Sequence, residues 1–373
     1  MPAPMNTGGR GSAIMPKRSH LSSRERVRLA LEHRPTDRVP IAMVCAGINP
    51  PAYHELEQYL GHSRGISVGE YLDPLIDVVG VGPNYVGPAL PRDQDIWGVR
   101  RAPVSYGAGS YDEIAVYPLA GAESPGDLDR HAWPATAMFD YSVLPEQIAA
   151  VQAKGERCIM VANGNILETS WYMRGFEKML TDFAENPELA WAIMDRVTDF
   201  YVEHFSRMLS AAKDSIDLVF TADDIGSQRG LIMSLPMWER MVKPHHARLN
   251  ATIHEFGAKV IYHSDGAVME AVEGLIDMGI DILQALQFSA DGMDAMVLKS
   301  AHGDRLCFEG GVSVQTTLPF GTADDVRREV EGLITVLGRE GGYILGPSHA
   351  IQAGTPAENI VALFDTAAGF YPY

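Results

Sequence analysis

His263 and Asp265 stand two residues apart in the segment Ile261-Tyr-His-Ser-Asp-Gly266, directly after an apolar run. Residues two apart on a strand share a face. One strand end therefore offers an imidazole beside a carboxylate, a pair that can hold a metal or relay a proton. Similar polar sets follow other apolar runs. Asn163, Asn165 and Glu168 follow 157–162, and Asp223, Asp224 and Gln228 follow 216–220. Gln284 and Gln287 end another run, Glu309 follows 306–308, and Ser348, His349 and Gln352 follow 343–345. His263, Asp265, Glu309 and His349 together suit a divalent metal, since zinc accepts two imidazoles with one or two carboxylates. The other reading of the same residues is a hydrogen-bonded polar mouth without metal. Neither H-E-x-x-H nor paired cysteines are present.

Asp223 and Asp224 are adjacent, so on extended backbone they point in opposite directions. Asp224 is taken as the cavity-facing one, an acid or base if other carboxylates crowd it, and helix N-capping is its alternative role. His263 is the second catalytic candidate. Asn163, Glu168, Asp223, Gln228 and Gln284 are the candidate substrate-binding residues. His245 and His246, inside a helical stretch after Pro244, read as surface or packing residues. Trp171, Tyr172 and Phe176 could wall a pocket or pack a core.

These residues need elements to bring them together. From about residue 139 onward, short apolar strands alternate with helices. Strands begin near 39, 157, 216, 258, 280, 305 and 343, most followed by a helix stopped at Gly, as at Gly155, Gly279 and Gly303. Such repeats call for a parallel sheet covered on both faces. Seven or eight units favour a single α/β barrel of the (β/α)8 TIM type, with the polar strand ends converging at one mouth. No G-x-G-x-x-G follows an early strand, which argues against an open dinucleotide-binding sheet. Ser22 with Glu25 three residues on reads as the capping box of a first helix. Residues 52–135 are turn-rich and read as an N-terminal helical and hairpin insertion, with hairpin strands at 97–101 and 111–117.

A chain of 373 residues with 46% hydrophobic and 21% charged residues suits a soluble globular enzyme. A formal net charge of −18 disfavours nucleic acid, which needs clustered Lys and Arg. Cys45, Cys158 and Cys307 are widely spaced and read as buried free thiols in a reducing cytoplasm. No apolar run is long enough for a membrane span. Residues 1–20 read as a disordered leader, and 21–373 as one barrel domain.

The segments Arg24-Glu-Arg-Val, Asp37-Arg-Val-Pro-Ile41, Asp223-Asp-Ile-Gly226, His263-Ser-Asp-Gly266, Phe308-Glu-Gly-Gly311 and Thr355-Pro-Ala-Glu-Asn359 together resemble the uroporphyrinogen decarboxylase superfamily. The resemblance implies a (β/α)8 barrel and a homodimer. It implies one of two chemistries: cofactor-free decarboxylation of uroporphyrinogen acetates, or zinc-dependent methyl transfer between corrinoid carriers and thiols or in O-demethylation. The arginine-rich motif that grips substrate carboxylates in the decarboxylase branch is replaced here by Met43-Val-Cys-Ala-Gly-Ile-Asn49. Where the methyltransferase branch carries H-x-C, this chain has His263-Ser-Asp265, with Ser348 and His349 near the place of a second cysteine. The leading expectation is a metal-dependent, zinc-like methyltransferase or demethylase for a small organic substrate, with a corrinoid protein as partner. A metal-free decarboxylase comes second, and a non-catalytic small-molecule binding module third.

Overall fold

The computed structural model describes residues 21–45, 47–105 and 110–371. The expected leader, 1–20, lies outside the described residues. Seven parallel strands follow one another around a single sheet: Val78–Gly80, Cys158–Asn165, Leu218–Ala222, Lys259–His263, Ile282–Ala285, Cys307–Val312 and Tyr343–Pro347. Residues 40–42 fill the gap between the last strand and the first. Leu345 N donates to Pro40 O at 2.8 Å, Ala42 N donates to Leu345 O at 2.9 Å, and Asp77 N donates to Ile41 O at 2.8 Å. The sheet thus curls into a TIM-type barrel with eight staves.

The first stave differs from the strand expected at 39–45. Only Ile41 forms a bridge, to Leu345, because Pro40 has no N–H and the Ile41 N–H donates to the Asp77 carboxylate at 2.8 Å. The strand Val78–Gly80 was not anticipated; three residues are too few to show a period. The expected hairpin exists as Arg100–Ser105 against Ser110–Val116. Its first strand starts late because Asp95 folds Ile96–Val99 into a turn, accepting from Trp97 N and Val99 N. The helix expected from 139 begins at Leu144 instead, since Phe139–Asp140 pairs with Asn84–Tyr85.

Two apolar layers hold the barrel. Helices such as Pro187–Ala212 bury Leu189, Ile193, Val197, Phe205 and Met208 in an outer cluster that also takes in Ile159, Val161, Val219 and Val260 of the sheet. Inside, Ala42, Val78, Cys158, Met160, Leu218, Phe220, Ile261, Ile282, Cys307 and Ile344 form a separate buried cluster. Strand residues alternate between these layers. Adjacent staves pair Ala222 with His263, His263 with Gln284, Gln284 with Glu309, and Glu309 with Ile344, so these side chains share the inward face. His263, Gln284 and Glu309 therefore stand on one polar rung above an apolar plug. The Ser22–Glu25 capping box is formed. No helix among the described residues is long and apolar enough to cross a membrane.

Candidate functional site

Two loops are laced together at the mouth, one after Leu218–Ala222 and one after Lys259–His263. Asp265 N donates to Asp224 Oδ1 at 2.8 Å, Ile225 N to Ser264 Oγ at 3.0 Å, and Asp223 N to His263 O at 3.0 Å. Backbone meets backbone here. A Cβ on Gly226 would lie 2.5 Å from Asp265 O, and one on Gly266, whose φ is +85°, 2.7 Å from Gly226 C. That close approach is the physical reason for a glycine in each segment.

The lacing sets the two adjacent aspartates apart. Asp224 turns to the mouth, 3.5 Å from His263 Nε2, while Asp223 is wholly buried. The Asp223 carboxylate accepts from Leu167 N and Glu168 N, both at 2.8 Å, and from the His246 ring. It caps the helix Ile166–Arg174. Asp223 is thus corrected from a substrate-binding group to a structural one, because both its oxygens are already used. His246 is a buried partner of that cap, fully enclosed and not on the surface.

Around His263 the side chains converge. Its Nε2 lies 3.9 Å from Asp265 Oδ1, and His349 Nε2 lies 3.9 Å from Asp265 Oδ2. The two imidazole rings are 5.8 Å apart by centroid. Two overlapping sets of donors, Cys45–His263–His349 and Asp224–His263–Asp265, each bring their ligand atoms within 4.8 Å of one another. Burial pushes Asp265 above the ordinary carboxyl range; Asp224 adds to this, while His263 and His349 oppose it. Glu168, bonded by Asn165 Nδ2 at 2.5 Å, is pushed up to about 8 by burial and then by Asp224 and Asp223. Burial pushes the Cys45 thiol up to about 12, helped by Asp265, Glu309, Asp224 and Glu168. The groups that weigh most on this thiol, after burial, are all carboxyls. The Asp265 Oδ1 atom is buried with no hydrogen-bond partner among the described residues. An acid-rich cluster with an orphaned oxygen, a thiol and two imidazoles fits a divalent cation.

A family model for uroporphyrinogen decarboxylase matches residues 141–370, more than half of the chain. The chain belongs to this family. Among characterised relatives, a methylated-thiol–coenzyme M methyltransferase of Methanosarcina mazei is 27% identical over 191 residues, covering 51% of this chain and 47% of that protein. A uroporphyrinogen decarboxylase of Anaeromyxobacter is 21% identical over 197 residues, covering 53% of each. The chain spans about half the length of the curated relatives it matches. Among solved structures, a methyltransferase from Methanosarcina mazei superposes with a TM-score of 0.68 at 19% identity, covering 94% of this chain and 99% of that one. This likeness speaks for the shared barrel fold.

Within this family's barrel, the structure gathers His263, Asp265, His349 and Asp224 but not all the anticipated residues. Glu309, expected as a metal ligand, is wholly buried on the rung beneath the mouth and stands outside both ligand sets. Gln284 is also inside, its Oε1 against His263 Nδ1, so it supports the imidazole and does not face substrate. Gln228 is exposed and reaches Gln287 Oε1 at 3.5 Å, a strut between loops. Asn163 is exposed at the rim, with φ +85°, and lines a small cavity of about 320 Å³ with Trp97, Phe139, Phe200 and His204. The cluster also contains Cys45, which the sequence reading takes for a buried free thiol. It follows the first stave directly, so the rule that located the other candidates at strand ends would have found it.

Proposed function

We propose that this protein is a zinc-dependent methyltransferase of the uroporphyrinogen decarboxylase family, acting on a small methylated compound such as a methyl ether, methylamine or methylated thiol, with a corrinoid protein as methyl carrier. The observation that carries the reading is the set Cys45, His263 and His349, with ligand atoms within 4.8 Å of one another and Asp265 Oδ1 alongside without a partner. A zinc ion held by these residues would supply Lewis acidity and stabilise a thiolate. The methyltransferase relative supports this reading over decarboxylation. So does the mouth itself: acidic side chains crowd Cys45 and no Arg or Lys is among the groups that weigh most on it, so a substrate with many carboxylates would find no cationic partner there.

The chain's own groups have separable roles. His263 and His349 present imidazole nitrogens, and Cys45 presents sulfur. Glu168, pushed up to about 8, keeps its proton near neutral pH and can pass it to a departing heteroatom. Asp224, bonded to Asp265 N, orients the His263 loop and faces the incoming group. The test is metal analysis of protein purified without added zinc, joined to an assay of methyl transfer from methylcobalamin to a thiol. One zinc per chain, with activity lost on chelation and restored by zinc, is expected. A metal-free protein with unchanged turnover after chelation overturns the reading. Carbon dioxide release from a substrate acid under chelation would instead favour the metal-free decarboxylase.

A further inference from the structure

Glu309 is the least explained group in the molecule. It is wholly buried, its oxygens make no well-formed hydrogen bond among the described residues, and the side chain that bears on its carboxyl is Gln284. The Gln284 Nε2 atom, on the neighbouring stave and at the same register, is likewise buried without a well-formed hydrogen bond, and the Glu309 carboxyl is the group it bears on. Buried polar atoms left unpaired are costly, so a pair of them side by side calls for an explanation. The room for the carboxyl is made deliberately: a Cβ on Gly346, one stave on, would lie 2.7 Å from Glu309 Oε1. On the other side of Gln284, the carboxamide Oε1 meets His263 Nδ1. Three staves in register thus carry a carboxyl, a carboxamide and an imidazole in a row. Gln284 ends in a fixed place, since the next two residues, Ala285 and Leu286, have φ of +102° and +57°, a sharp turn that non-glycine residues rarely make.

We propose that Glu309 is a positioning residue: through the Gln284 carboxamide it keeps the His263 proton on Nδ1 and leaves the Nε2 lone pair facing Asp224 and Asp265. A carboxyl oxygen can accept from the Gln284 N–H in either protonation state. The carboxamide oxygen is then turned to the imidazole, and a carbonyl oxygen there takes only an N–H. The imidazole proton is thereby committed to Nδ1, and Nε2 becomes the basic, ligand-competent nitrogen. Outer partners of this kind commonly tune metal affinity about 10–100-fold. The effect on metal affinity rests on the zinc reading; the position of the proton does not.

The experiment reads the His263 tautomer by two-bond 1H–15N correlation in metal-free protein at pH 8, alongside zinc affinity by competition with a chromogenic chelator. The parent is expected to show Nδ1–H. Glu309→Leu, which fills the space with apolar atoms, is expected to let the Nε2–H form appear and to weaken zinc binding about 10–100-fold. Gln284→Leu should do the same, and the double variant no more than either alone. Glu309→Gln keeps an accepting oxygen and should retain both the tautomer and the affinity. An Nε2–H tautomer in the parent, or an unchanged tautomer in folded Glu309→Leu, overturns the proposal. Should Glu309→Leu fail to fold, the parent tautomer and the behaviour of Glu309→Gln decide it. A tautomer that responds as expected in a protein that never binds zinc would sustain the positioning role and sink the zinc reading instead.

Discussion

At the N-terminal end of the barrel, Asp77 lies between Arg26 and Arg38, at 2.6 and 2.7 Å, and its remaining reach is taken by Ile41 N. At the C-terminal end, Asp265 keeps an oxygen with no partner among the described residues, and the groups that weigh most on Cys45 after burial are carboxyls. The two ends bury acids in opposite ways. Below, Arg26 also grips Asp37, which despite burial sits under the ordinary carboxyl range. A cavity of about 780 Å³ opens at this same end, but its lining is neutralised in pairs such as Arg24–Asp217 at 2.8 Å. Above, burial pushes Glu168 and Asp265 up; no Arg or Lys among the described residues pairs with either, and His263 and His349 only partly offset the burial of Asp265. The lesson is that carboxylates alone do not mark a site here. The resembling segments around Arg24–Val27 and Asp37–Ile41 build a neutralised floor, whereas those at 223–226 and 263–266 build a mouth left electrostatically unfinished.

The floor-and-mouth contrast breaks if the floor tolerates loss of its cation. Arg26→Met should lower unfolding free energy by about 3–5 kcal/mol, since it removes the guanidinium that bridges Asp37 and Asp77 and leaves Arg38 as the one cation on buried Asp77 among the described residues. Denaturant titration checks this, and zinc stoichiometry of the folded fraction should be unchanged. At the mouth, His263→Ala and Cys45→Ser should each weaken zinc binding by about 100-fold, about 2.7 kcal/mol, while unfolding of the metal-free chain moves far less. Equal losses of stability at both ends would erase the distinction. A pH series sharpens it further. The folded-state value of Glu168 is raised from 4.5 to about 8, so its stabilising contribution is whole below the lower value and disappears as pH climbs toward the upper. Metal-free Glu168→Gln should therefore be more stable than the parent at pH 8, by on the order of 1–3 kcal/mol, with the gap closing toward pH 5. A constant difference across that window would show that Glu168 is not held protonated. The smallest effect is expected at the rim. Gln228→Ala removes a long 3.5 Å contact and should cost about 0.5 kcal/mol or less, with zinc affinity within about twofold.

Much of the fold was legible in the sequence because strand, Gly-stopped helix and strand repeat with strong local patterning. Six of the seven sheet strands lie where apolar runs mark them. Val78–Gly80 escaped because three residues carry no period, and the first stave was overread because Asp77 takes the amide that a strand would have spent on its neighbour. The mouth was legible in part. His263, Asp265, His349 and Asp224 stand out in the sequence as polar residues just past strands, a position that Cys45 shares although its type reads as a buried free thiol.

Sequence by itself determined which residues end up at the strand tips, since periodicity of two and helix stops are local properties of the chain. It could not say how far above or below the mouth each one stands. Glu309 and Gln284 sit on the inner rung because parallel register pairs them with His263, and register is a property of staves brought together from distant parts of the chain. Nor could it separate Asp223 from Asp224; that choice was made by a helix N-terminus and a histidine, at residues 167–168 and 246, reaching the same carboxylate through space.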